Sequence, residues 1–110
     1  MSTLHLEIIY SETARIGPGK VRLLELVREK GSITEAAQAM GMSYRRAWLL
    51  MDDVNKLFDA PLIEKRVGGH ARGGASLTPL GEEIIRQYRE FERVSGEQLR
   101  AGFPALAGQS

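Results

Sequence analysis

The sequence contains no cysteine, which excludes disulfides, thiolate metal clusters and cysteine nucleophiles and suits a reducing compartment. Its two histidines, His5 and His70, stand far apart, and the His-Glu-x-x-His pattern of a zinc hydrolase is missing. Long apolar runs are also missing. The longest strictly apolar stretch, Ala47 to Met51, falls far below the roughly 20 residues of a membrane span, and the N-terminus lacks the basic-then-apolar order of a signal peptide. These absences predict a cytoplasmic protein with no membrane partner. Nor is there an excess of either charge: 15 basic and 14 acidic residues give a net charge of +1. Nucleic-acid binding would therefore need a local gathering of cations, because the global total supplies no attraction. The remainder is ordinary for a globular chain, with 43% hydrophobic and 26% charged residues over 110 positions. That length predicts one domain that buries roughly two-thirds of its unfolded surface, and it excludes a multidomain enzyme.

Leu4, Leu6 and Ile8 alternate with His5, Glu7 and Ile9, the period of a short strand with one buried face, and Gly17-Pro18-Gly19 ends it. From Lys20 to Lys30, Leu23, Leu24 and Val27 recur at helical spacing before Gly31, a residue suited to a helix C-terminus. Ser32-Ile33-Thr34-Glu35 fits a capping box, so a second helix starts there, carries Ala36, Ala37 and Met40, and ends at Gly41. Ser43 caps a third helix, where Ala47, Leu50, Met51, Val54, Leu57 and Phe58 form the strongest periodicity in the chain. Small alanines allow two steeply crossing helices to approach closely, and the unit reads as a helix-turn-helix. Pro61 redirects the chain. Leu62 to Val67 and Ala75 to Leu77 then read as a hairpin whose tip carries Gly68, Gly69, Gly73 and Gly74.

Thr78-Pro79 opens a fourth helix. Leu80, Ile84, Ile85, Tyr88, Phe91, Val94 and Leu99 lie on one side, with Glu82, Arg86, Arg89 and Arg93 on the other. Extended to Arg100 it would be about 33 Å long, so part of its stripe should overhang the body. The fold class predicted is mainly α with a small β hairpin: a winged helix-turn-helix of order α-α-α-β-β-α behind a short N-terminal strand. Residues 1–101 form the domain, and 102–110 a flexible tail.

Arg45, Leu49, Asp52 and Lys56 lie opposite the apolar stripe of the third helix, flanked by Arg46 and Trp48, and its cations stand at the N-terminal end. A helix entering a major groove end-on uses its first turns in this way, while Asp52 and Asp53 would repel phosphates and point away. Arg45 suits a bidentate guanine contact and Leu49 a thymine methyl. Ser43 and Tyr44 suit phosphate, and Thr34 of the preceding helix joins them. Exposed arginines otherwise form a solvated face, and Trp48 with Tyr44 at i, i+4 fits either core or contact surface. Adjacent arginines directly after a cap oppose the helix dipole, however, which asks for an external anion. Lys65, Arg66, His70 and Arg72 around the glycines form a second basic group suited to a sugar-phosphate strand. A nucleotide-binding loop is absent, and the acid pairs Asp52-Asp53 and Glu82-Glu83 fall on solvent faces, so no enzyme activity and no cofactor are expected.

Gly31-Ser32-Ile33, Ala36-Ala37, Met40 to Trp48, Gly68-Gly69, Gly73-Gly74-Ala75 and Leu77-Thr78-Pro79-Leu80-Gly81 together resemble the N-terminal winged-helix domain of the molybdate-responsive transcriptional regulators (ModE). The resemblance spans Leu4 to Leu99. Its more specific parts are Ser43 to Trp48 and the double-glycine wing; Ala-Ala and Leu-Thr are shared with LysR-type regulators in general. It implies a homodimer that binds a palindromic DNA operator, with the third helix in the major groove and the wing beside it. Dimerisation is assigned to the overhanging part of the last helix, with Tyr88, Phe91, Val94 and Leu99, or to that part together with the N-terminal strand. Family members with a sensor carry a separate molybdate-binding module, so this sequence looks like a stand-alone DNA-binding form that either relies on a separate molybdate-sensing partner or has no metal response. The alternative is a winged-helix adaptor that docks on protein through the last helix.

Overall fold

The computed structural model describes residues 4–65 and 74–102. Its elements run β1 (Ile8–Ile9), β2 (Arg15–Ile16), α1 (Pro18–Lys30), α2 (Ile33–Ala39), α3 (Tyr44–Asn55), β3 (Ile63–Lys65), β4 (Ala75–Leu77) and α4 (Pro79–Gly102). The α-α-α-β-β-α order is that of a winged helix-turn-helix. The N-terminal strand is part of a hairpin that the sequence reading missed: β1 pairs antiparallel with β2, Ile8 opposite Ile16 and Ile9 opposite Arg15. Its turn closes where Tyr10 N and Ser11 N donate to the Ala14 carbonyl at 2.8 and 3.2 Å, and the Ser11 hydroxyl accepts from Thr13 N and Ala14 N. Two-residue strands are too short to show a period.

Pro18 opens α1 rather than closing a strand, because its missing N–H lies where a helix needs no donor bond. Val21, Leu23, Leu24, Leu26 and Val27 are buried, and α1 touches α2, α3, α4, β2 and β4, which makes it the axis of the core. Gly31 ends it in the left-handed region at φ 67°. Ser32 then caps α2 as its sequence predicted, its hydroxyl accepting from Glu35 N at 3.2 Å. The next exit is a Schellman turn. Gly41 adopts φ 68°, its N–H donates to Gln38 O at 3.1 Å, and Met42 N donates to Ala37 O at 3.0 Å. Ala36, Ala37 and Ala47 are buried where α2 meets α3.

The wing is fastened at both roots. β3 and β4 pair antiparallel with Ile63 opposite Leu77 and Lys65 opposite Ala75. Ala75 N donates to Gly31 O at 3.1 Å, beside a bridge between Ser32 and Gly74, and this ties β4 to the α1–α2 corner. Thr78 locks the start of α4: its hydroxyl donates to Pro61 O at 2.8 Å and accepts from Gly81 N at 3.0 Å.

At 24 residues, α4 is about 36 Å long, in a molecule of 53 × 28 × 23 Å. Two sequence expectations fail on this helix. Tyr88, expected on a dimer face, is 2% exposed, and its hydroxyl donates to the Leu6 carbonyl at 2.5 Å; it belongs to the subunit's own core. Arg89, expected in solvent, is half-buried and bidentate on Glu25 of α1, at 3.0 and 2.8 Å. The helix also continues past Arg100 to Gly102, and the rest of the expected tail lies outside the described residues.

Candidate nucleic-acid interface

The N-terminus of α3 is built by the turn before it. Gly41 turns the chain, and Ser43 caps the helix by accepting from Arg46 N at 3.1 Å. Tyr44, Arg45 and Arg46 thereby occupy a first turn that holds no acidic residue. Leu49 follows Arg45 by one turn. All of these side chains are exposed, as is Thr34 in the first turn of α2.

Several of the chain's carboxylates are engaged elsewhere. Arg28 meets Glu82 at 3.1 Å, Lys56 meets Asp52 at 2.8 Å, Arg89 meets Glu25 and Glu92 at 2.8 Å, and Arg93 meets Glu90 and Glu97 at 2.5 and 2.8 Å. Arg86 pairs with Glu83. Arg45, Arg46 and Lys65 form no ion pair among the described residues. Arg66, His70 and Arg72 lie outside the described residues, in a stretch whose sequence contains no acid. Of the other described arginines, all but Arg100 pair with a carboxylate.

Tyr44, Arg45, Trp48 and Leu49 line an open depression of about 400 Å³ on α3. Tyr44 is 48% and Leu49 52% exposed, so large apolar groups stand among the cations. Trp48 is half-buried against the core, and the Lys65 ammonium sits 4.7 Å from its ring centroid. The root of the wing is therefore carried onto the face of α3. On another side of the helix, Leu50 lines a cleft of about 240 Å³ with His5, Glu7, Arg15, Gly17 and Lys20. Sequence spacing gave no hint that His5 and Lys20 would neighbour the third helix.

Asn55 was missed as well. At the last turn of α3 its Nδ2 donates to Ile63 O, and its Oδ1 accepts from Leu62 N and Ile63 N, each at 2.9 Å. This clasp sets the direction in which the wing leaves the helix, and a single polar residue before a proline carries no signal of it. Among the described residues no group of three or more His, Asp or Glu could hold a metal ion, and no helix is long and apolar enough to cross a membrane.

A family model described as bacterial regulatory helix-turn-helix protein, lysR family, matches residues 19–82. The chain belongs to the lysR family of regulatory helix-turn-helix proteins. As such it is a DNA-binding transcriptional regulator by type. This lysR-family chain is 43% identical over 79 residues to the molybdenum-pterin-binding protein MopB of Rhodobacter capsulatus, covering 72% of this chain and 29% of that protein. It is 38% identical over 92 residues to the molybdenum transport protein ModE of Herbaspirillum seropedicae, covering 78% and 34%. With the transcriptional regulator ModE of Haemophilus influenzae it shares 36% identity over 89 residues, covering 81% and 35%. The chain spans about a third of the length of these relatives. The resemblance to the molybdate-responsive regulators therefore holds over the aligned residues. Among solved structures, the crystal structure of the CbnR_DBD-DNA complex matches with a TM-score of 0.59 at 20% identity, covering 84% of this chain and 97% of that one. That likeness bears out the winged-helix fold.

Proposed function

We propose that this lysR-family domain binds a palindromic operator in double-stranded DNA as a homodimer and regulates genes of molybdenum uptake or use. The observation that carries the reading is the arginine couple at the N-terminus of α3, unpaired among the described residues, where most other arginines are held by carboxylates. In this reading α3 enters the major groove by its first turns. Arg45 takes a guanine edge, Leu49 a thymine methyl, and Ser43, Tyr44 and Thr34 the flanking phosphates. The Asp52–Lys56 pair further along α3 keeps its second half off the backbone. Lys65, with Arg66, His70 and Arg72, lies along the adjacent strand or minor groove.

The dimer uses the overhang of α4. Phe91 is 59% exposed and, with Val94, lines a groove of about 460 Å³; Leu99 stands further along the same helix. Two-fold symmetry sets the two recognition helices about one DNA turn apart, roughly 34 Å. The molybdenum link rests on the named relatives. Selection of bound genomic fragments with and without molybdate tests the reading. Recovery of fragments that share an inverted repeat is the expected result. A monomer that retards no fragment but copurifies with a stoichiometric protein partner would replace it with the adaptor reading.

A further inference from the structure

Next to Arg45 on α3 and beneath Lys65 stands Trp48, the chain's single tryptophan. Its indole belongs to both sides at once: it packs partly against the core, lines the depression with Tyr44, Arg45 and Leu49, and carries the Lys65 ammonium 4.7 Å from its ring centroid. Lys65 is exposed at the end of β3, and no carboxylate pairs with it among the described residues. A flexible lysine in that position would sample many rotamers and lose them on binding a phosphate. A ring face beneath the ammonium narrows that ensemble. It attracts the cation through the ring quadrupole and leaves outward N–H donors available to a phosphate oxygen.

We propose that Trp48 is a positioning residue for DNA recognition: its indole seats the Lys65 ammonium and so fixes the wing root in register with the Arg45 and Arg46 side of α3. The inference rests on the DNA-binding reading and adds to it. Trp48 acts through Lys65, and the two form one contact unit rather than two. A cation–π seat at an exposed site corresponds to about a two- to fivefold change in affinity.

The test is a double-mutant cycle of duplex-DNA affinity, measured with the full chain on a fragment that the wild type binds. Trp48→Leu is expected to weaken binding by about two- to fivefold, Trp48→Phe by less because a ring face remains, and the effect should vanish in a Lys65→Gln background. An independent readout needs no DNA. Ring current from the indole shifts the Lys65 ε-methylene protons upfield in the free protein, and Trp48→Phe, which keeps the side chain large enough to fill the site, should change that shift. Unshifted ε-methylene protons in the wild type, or an equal loss from the Trp48 variants with and without Lys65, would overturn the proposal while the DNA-binding reading stands. A wild type that binds no duplex overturns both.

Discussion

Gly81 shows how one absent methylene positions the wing. A Cβ built there would lie 2.4 Å from the Leu62 carbonyl oxygen, closer than any real contact, and the obstacle is backbone rather than a yielding side chain. Gly81→Ala should therefore destabilise the domain by about 1–3 kcal/mol, the range of overpacking, read as a lower midpoint in denaturant. Glu25 gives a second test. The Arg89 hydrogen bonds first, then the charges of Arg89 and Arg22, hold its carboxyl below the usual 4.5 despite a desolvation cost that acts the other way. A lowered folded-state value means that the unfolded chain binds this proton more readily. The stabilisation is complete above the unfolded value and is lost as pH falls through the folded one. Glu25→Gln should lower the melting temperature at neutral pH, and its deficit relative to the parent should shrink as pH drops below 4.5. At this scale the caps at Ser32 and Ser43 were legible, because capping is local. Tyr88 and Arg89 were not, since an amphipathic stripe does not say which of its residues meet α1 and which a partner.

Between elements, what matters is the angle at which the wing leaves α3. Asn55 holds three backbone groups of the Leu62-Ile63 segment, and Gly31 O holds the far root at Ala75. Asn55→Ala would leave partly buried amides without partners, and a loss of about 1–3 kcal/mol is expected in chemical denaturation. DNA affinity should fall even at temperatures where the variant remains folded, because Lys65 loses its placement beside α3. The α1, α2, α3 and α4 segments could be read from period, caps and glycine stops. The β1–β2 hairpin could not: its strands are two residues long and depend on a serine-held turn rather than on alternation. The Asn55 clasp was invisible for a related reason, since its partners are main-chain groups that any sequence possesses.

For the molecule as a whole, the proposed function turns on charge placement and on the exposed part of α4. Phe91→Glu should convert a dimer to a monomer by light scattering and leave the melting temperature of the monomeric fold nearly unchanged, because a side chain 59% exposed contributes little to its own subunit. The exposed arginine pair after Ser43 and the long amphipathic last helix were visible from the sequence. Which cations remain available was not, because that depends on long-range pairs such as Arg28–Glu82 and Arg89–Glu25.

The most direct test of that charge distribution is a titration of duplex DNA at several salt concentrations with the wild type and an Arg45→Ala/Arg46→Ala double variant. Affinity should fall steeply with salt in the wild type, and the slope of log affinity against log salt should shrink in the double variant by about 0.9 for each phosphate contact removed. Binding that ignores salt, or that the double variant retains at full strength, would contradict the assignment of this surface to DNA.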